Sequence, residues 1–340
     1  MPLRKGARAP RWLAAALVMA SALVAGCSPH DYPQTSLTPR SDYARAIQTL
    51  LEQQVLWVVI IFVAVLALLL VAVFRFRSRP GAPDPKPIHG NTTLEIAWTI
   101  APAIILALVA VPTVMTIFKT QGPPPPGAMT VKAIGHQWWW EFQYPADSIA
   151  TGSELHVPIG KPVLVEIETV DVLHSFWIPA MGGKRDAVPT HTNTMWFTAD
   201  SLGEFPGQCA ELCGISHANM RMKLFVDTPE QYAAWIANQK APPVEPDTTT
   251  LAGKGRKIFS ESACISCHTI RGISEGIIGP NLTHFASRTG IAGEIYPNTP
   301  EHLGHWIEAP DKQKPGTLML NLGLPQDQIE ALVAYLESLK

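Results

Sequence analysis

Two stretches without a charged side chain, Val55–Phe74 and Ile96–Phe118, set the frame into which the rest of the chain must fit. A helix of about 20 residues rises about 30 Å, the thickness of a bilayer's hydrocarbon core, so residues 55–74 predict one membrane-spanning helix. The second stretch, residues 96–118, predicts another. Its Pro102 and Pro112 are tolerable where neighbouring helices satisfy the freed carbonyls. The two form a hairpin joined by residues 75–95. Arg75, Arg77 and Arg79 open that connection, and such a basic cluster stays in the cytoplasm. Everything before the first span and after the second therefore faces outward. The 340 residues are 47% hydrophobic and 16% charged, against about 25% charged in soluble domains, and the hairpin accounts for much of the difference. Twenty-six basic residues against 28 acidic ones exclude a basic field for nucleic acid.

Residues 1–26 read as an export signal that fits this orientation. Arg4, Lys5, Arg8 and Arg11 precede an apolar run, and Val24-Ala25-Gly26 ends at Cys27. That ending resembles a bacterial lipoprotein box, in which Cys27 would be acylated; residues 27–54 are then an exported N-terminal segment.

Beyond Lys119 two modules follow. Pro162–Glu168 places Val163, Val165 and Ile167 on one face of a strand, and Met222–Val226, Met129–Ile134 and Thr194–Thr198 read similarly. They predict a compact antiparallel β domain within residues 119–235, closed by a helix with Thr228 as N-cap, Pro229 at its first position and Gln231 completing a capping box. Residues 236–250, rich in proline, threonine and acids, form a linker. Residues 251–340 have a helical pattern, with a helix starting at Thr299-Pro300-Glu301 and an amphipathic one over 326–339 that buries Ile329, Leu332, Val333 and Leu336.

The cysteines carry the chemistry. Cys264-Ile265-Ser266-Cys267-His268 is the c-type haem attachment signature: two thioethers to the porphyrin and an adjacent imidazole for the iron. A zinc site would need further ligands, and no later cysteine exists. Met319, the only methionine after Met222, is the candidate sixth ligand, with His284, His302 and His305 as rivals. In the other pair, Cys209-Ala210-Glu211-Leu212-Cys213 runs on to His217 and Met220, and two thiolates, an imidazole and a thioether form a set that selects copper. One cysteine would suffice for a single copper. Two can bridge a pair of metals, which then needs a remote histidine, and His174 in Asp171-Val172-Leu173-His174 offers one at a strand end.

The copper loop, the DVLHSF segment from Asp171 and the run Gly135-His136-Gln137-Trp138-Trp139-Trp140 together resemble subunit II of the haem–copper cytochrome c oxidases. With the attachment signature downstream, the whole looks like the caa3 type, in which donor cytochrome and oxidase subunit share one chain. The resemblance implies a multidomain membrane protein: a two-helix transmembrane hairpin, a cupredoxin-like β-barrel with a binuclear CuA centre, and an all-α, class I-like cytochrome c domain. It implies that Cys209 and Cys213 bridge the coppers, that His174 and His217 each ligate one, and that Met220 and the Glu211 carbonyl complete the set. The Glu211 side chain would reach a magnesium ion shared with subunit I, and Trp138 would be the residue through which electrons reach CuA. For Glu95 the resemblance offers the entrance of a proton path, beside the plainer reading of a helix-start charge. His136, His156 and His191 match no ligand position.

The implied function is electron relay: a small donor such as a cytochrome c reduces haem c, the electron passes to CuA, and CuA feeds haem a of subunit I, which holds haem a3 and CuB and reduces oxygen to water. Subunit III is a further expected partner, and the bacterial cell membrane the expected location, with both soluble domains outside. A copper-delivery lipoprotein would share Cys27 and a cysteine pair but has no use for a second span or haem. A quinol-oxidase subunit would lack the copper ligands, and a soluble nitrous-oxide reductase would lack the spans. Residues 119–235 carry 7 basic and 12 acidic side chains, whereas 251–340 carry 8 and 9, so the acidic copper domain would attract a cationic donor or orient the tethered haem domain.

Overall fold

The computed structural model describes residues 32–77, 80–81, 87 and 89–340; the export signal, Cys27 and Arg79 lie outside the described residues. Helix α1 spans Asp42–Arg75 and helix α2 spans Thr92–Gln121, with Ser41 and Asn91 accepting hydrogen bonds from the amides of Ala44 and Leu94 as N-caps. Both outrun the apolar stretches within them. The 34 residues of α1 rise about 51 Å, well beyond a hydrocarbon core of about 30 Å, so the expected exported segment 27–54 joins the helix at Asp42. Gln54 Nε2 donates to Thr113 Oγ1 at 3.4 Å and ties the two helices. Most of the large apolar side chains in their spanning stretches are exposed, as lipid or partner helices require.

The extra turns of α1 fasten the hairpin to the β domain. Asp42 Oδ1 accepts from the Thr198 amide at 2.8 Å, Ser41 Oγ donates to the Met181 carbonyl at 2.7 Å, and Tyr43 is buried against Gly182. From α2, the Gly122 carbonyl accepts from Trp196 Nε1 at 3.0 Å and the Gln121 side chain from Arg185 at 2.6 Å.

Ten strands build the β domain: β1 Met129–His136, β2 Trp139–Tyr144, β3 Ile149–Gly152, β4 Glu154–Pro158, β5 Pro162–Thr169, β6 His174–Trp177, β7 Arg185–Ala187, β8 Asn193–Thr198, β9 Gly203–Cys209 and β10 Arg221–Asp227. They pair as two five-stranded sheets, β3-β2-β1-β5-β8 and β4-β10-β9-β6-β7. The expectation of a wholly antiparallel domain is corrected here: β1 pairs β5, and β4 pairs β10, in parallel. Alternating hydrophobicity reports which face of a strand is buried but not its direction. The faces agree with it, since Val163, Val165 and Ile167 are wholly buried between the sheets. Helix α3, Pro229–Lys240, starts in the expected capping box at Thr228 and continues through residues placed in the linker, which shortens to 241–250.

The C-terminal domain packs helix α4, Leu251–Glu261, across helix α6, Gln326–Leu336, with helix α5, Pro300–Glu308, beside them. Phe259 and Tyr335 meet in its core at 5.8 Å between ring centroids. The all-α expectation needs one amendment. Two ladders of two residues per strand, Thr269–Ile270 with Ser274–Glu275 and Gly290–Ile291 with Tyr296–Pro297, brace its loops.

Candidate metal centre and cofactor site

Register brings the copper-type ligands together. Strand β6 pairs β9 with Phe176 opposite Cys209, so His174, two residues earlier, lies beside the loop that leaves β9. The Ala210 amide donates to the Ser175 carbonyl at 2.9 Å and the Cys209 amide to the Met220 carbonyl at 2.9 Å, which folds the loop back on itself. Cys209 and Cys213 are then 3.8 Å apart at sulfur, both buried as free thiols. His174 Nδ1 is 3.9 Å from Cys209 Sγ, and ligand atoms of His174, Cys209 and Cys213 lie within 4.8 Å of one another. His217 Nδ1 stands 3.5 Å from Cys213 Sγ, Met220 Sδ 3.9 Å from the same sulfur, and the Glu211 carbonyl 3.2 Å from Cys209 Sγ. All six expected ligands converge on one spot whose two thiolates, thioether and two imidazoles are a chemistry that fits copper. The shared hydrogen bond holds the Cys209 thiol well below its ordinary value and pushes Cys213 up, so one of the two sulfurs loses its proton readily to a cation.

Around the ligands lies a set of residues that spacing alone does not reveal. Asp171 Oδ1 meets His174 Nε2 at 2.7 Å, so the ring's Nδ1 is the nitrogen that faces the sulfurs. Although burial works against it, Asp171 stays below its ordinary range because His174 and the amides of Gln137, at 2.7 Å, and Val172, at 2.6 Å, donate to it. An acid three residues before a candidate ligand histidine is the one sequence signal that could have found it. Gln137 Nε2 and Trp138 Nε1 both donate to the Cys213 carbonyl, at 2.7 and 3.0 Å. Of the three tryptophans, Trp138 alone touches the ligand loop in this way: Trp139 stacks on His136, and Trp140 fills the core against Phe176. The Glu211 carboxylate pairs with Lys184 at 3.4 Å. Glu95 is exposed in the first turn of α2, apart from these groups.

The three unassigned histidines have structural partners or turn positions. His136 meets Glu141 at 3.0 Å, His156 meets Asp227 at 2.9 Å and stacks between Phe225 and Trp235, and His191 closes a bridge to Val188.

In the C-terminal domain Cys264–Cys267 form one helical turn that presents both thiols, and His268 follows at its end. His268 Nδ1 donates to the Pro280 carbonyl at 2.8 Å, which leaves Nε2 available as a ligand atom. Burial keeps the ring's pKa low and hence the ring neutral. Gly279 lies against it, where a Cβ would come within 2.5 Å of the ring. The loop beyond the signature exposes Ile277 and Ile278, and the loop around the half-buried Met319 exposes Leu318 and Leu320. A thiol pair and an imidazole in a domain that also exposes two apolar loops fit a haem. Among the rivals to Met319, His284 has both ring nitrogens facing carbonyls, Lys340 at 2.8 Å and Ala241 at 3.0 Å, and His302 is held by Thr299 at 2.8 Å.

Comparison with known proteins agrees along the chain. Residues 34–116 match the transmembrane domain of cytochrome c oxidase subunit II, residues 147–226 its periplasmic domain, and residues 252–340 cytochrome c. Cytochrome c oxidase subunit 2 of Alkalihalophilus pseudofirmus is 40% identical over 313 residues, covering 90% of this chain and 91% of that one. The proteins of the same name from Bacillus sp. PS3 and Bacillus subtilis are 38% and 34% identical, covering 78% and 79% of this chain and 80% and 81% of theirs.

Proposed function

Since the chain belongs to the cytochrome c oxidase subunit II family, we propose that it relays electrons, one at a time, from an outside donor through covalent haem c to CuA and on to subunit I, where oxygen is reduced. The bound groups supply one-electron exchange; the protein supplies ligands, a rigid frame and exclusion of water. Cys209, Cys213, His174, His217, Met220 and the Glu211 carbonyl would hold the copper pair. Cys264 and Cys267 would tether the haem, and His268 and Met319 would ligate its iron. Held by two sheets, the copper loop has little freedom to rearrange, so little reorganisation accompanies transfer. The observation that carries this reading is the convergence of two free thiols, two imidazoles and a thioether in one chain with a haem attachment turn.

The same reading extends to finer roles. Trp138, bonded to the Cys213 carbonyl, is where electrons reach the copper loop. The Glu211 side chain serves a magnesium ion shared with subunit I, and Glu95 marks the mouth of a proton path. Cys27 is lipidated, the complex is of the caa3 type in a bacterial cell membrane with subunit III present, and a small cytochrome c is the donor. Metal analysis with an optical spectrum of the purified chain tests the core of this reading. We expect two coppers and one covalent haem per chain; one copper or none would reject the binuclear centre.

A further inference from the structure

The two outer domains meet over a built seat rather than through the linker alone. Lys314, in the loop that leads to Met319, is only 3% exposed, and its ammonium donates to the Trp138 carbonyl at 2.5 Å and the Ala292 carbonyl at 2.6 Å. The next two residues continue the contact. The Pro315 carbonyl accepts from the buried Ser216 hydroxyl at 2.6 Å, and Gly316 lies so close to the Trp138 ring and Ile215 that a Cβ there would come within 2.8 and 2.6 Å of them. Ser216 and Ile215 belong to the copper loop itself, between Cys213 and His217. Farther along the interface the Arg221 amide donates to the Gly293 carbonyl at 3.2 Å, and Glu154 accepts from the Thr289 amide and hydroxyl at 2.6 and 2.7 Å. Covered in this way, Trp138 is 7% exposed.

A buried lysine amine costs too much to be incidental packing unless its hydrogen bonds hold it, and here its partners lie one in each domain. We propose that Lys314 is a positioning residue that seats the Met319 loop on Trp138, so that the chain's own haem domain occupies the face through which electrons reach the copper loop. Two consequences follow. An outside donor is received on the haem domain, because a second protein cannot reach Trp138 while the seat is closed. The path between the domains is fixed by contact rather than by diffusion of a tethered partner. The purpose of the seat rests on the electron-relay reading; its existence does not.

Amide hydrogen exchange on the intact chain tests it, because the Arg221 and Thr289 amides donate across the interface. We expect both amides to be protected in the native chain. In Lys314→Met, exchange at both should accelerate about tenfold or more, with copper and haem spectra unchanged, and haem-to-copper transfer in the assembled oxidase should slow by a similar factor. Unprotected amides in the native chain, or a Lys314→Met protein with native exchange, would overturn the seat. Faster exchange with an unaltered transfer rate would overturn the positioning role. Should Lys314→Met not fold, Ser216→Ala, which removes the donor to the Pro315 carbonyl, must accelerate the same two amides, and native exchange there overturns the proposal. Missing copper or haem in the spectra would instead refute the relay reading and leave the exchange result standing.

Discussion

Asp171 takes hydrogen bonds from the His174 ring and from two backbone amides, so one carboxylate fixes both the tautomer of a ligand and the turn that carries it. Such supporting groups typically contribute about 10–100-fold to metal affinity. Asp171→Asn should therefore weaken copper binding by about that factor in a chelator competition while leaving the fold's circular dichroism unchanged; native affinity would show that the ring needs no such support. Met319→Ala should remove the sulfur–iron charge-transfer band of the oxidised protein, since His284 is engaged through both nitrogens. A retained band would move the axial role elsewhere. At this scale the ligands were legible because Cys209, Cys213, His217 and Met220 lie within one loop and their spacing is itself the geometry. Gln137 and Lys314 were not. Their partners lie 76 and 176 residues away, and a glutamine or lysine of ordinary appearance carries no local sign of a distant carbonyl.

Among the elements, the crossing of α4 and α6 holds the haem domain closed, and its tightest point is Gly255. A Cβ there would stand 1.9 Å from the Ala331 carbonyl oxygen and 2.8 Å from the Tyr335 Cβ, so the two helix backbones touch. Gly255→Ala must push the helices apart, at a cost of about 1–3 kcal/mol. A denaturant titration followed by haem absorbance should show the lowered midpoint; an unchanged midpoint would mean that the crossing is looser than it looks. Hydropathy found α1 and α2, cap signals α3 and α5, and periodicity α6 and four of the ten strands, because burial of one face is written in the residues of that face; α4 was read only as part of a general helical pattern. Periodicity missed the other six strands, β2, β3, β4, β6, β7 and β9; on three of these, side chains serve other tasks, His174 and Cys209 the metal loop and Arg185 the bond to Gln121 of α2. It also missed strand direction and the two-residue ladders, which depend on long-range pairing. The length of α1 was hidden for a different reason: hydropathy marks only the part in lipid, whereas Ser41, Asp42 and Tyr43 continue the helix into protein.

For the whole molecule, net charge proved less informative than individual contacts. The copper domain is acidic and the haem domain near neutral, yet the junction is held by lysines from both sides, Lys314 from one and Lys223 from the other. Glu294 at this junction is buried beside Glu154, with Lys223 at 3.7 Å and Arg288 also nearby, and burial first, then Glu154, pushes its carboxyl up from 4.5 to about 7. A group that holds its proton more tightly when folded contributes stability that is complete below about 4.5 and is lost as the pH rises through about 7. Protection of the Thr289 amide should accordingly weaken between pH 5 and 8 by more than intrinsic exchange predicts, on the scale set by that shift. Glu294→Gln should flatten the dependence, and an equally steep profile in the variant would place its origin in another group. The linker adds only proximity, an effective concentration on the order of millimolar; the seat adds orientation. The most direct test of electron relay within one chain is a stopped-flow experiment on the assembled oxidase, mixing it anaerobically with a reduced cytochrome c and following haem c and copper absorption together. Haem c should be reduced first and the copper centre only through it, so that Met319→Ala delays the copper signal. Copper reduction that runs ahead of haem c, at a rate set by donor concentration alone, would contradict the account.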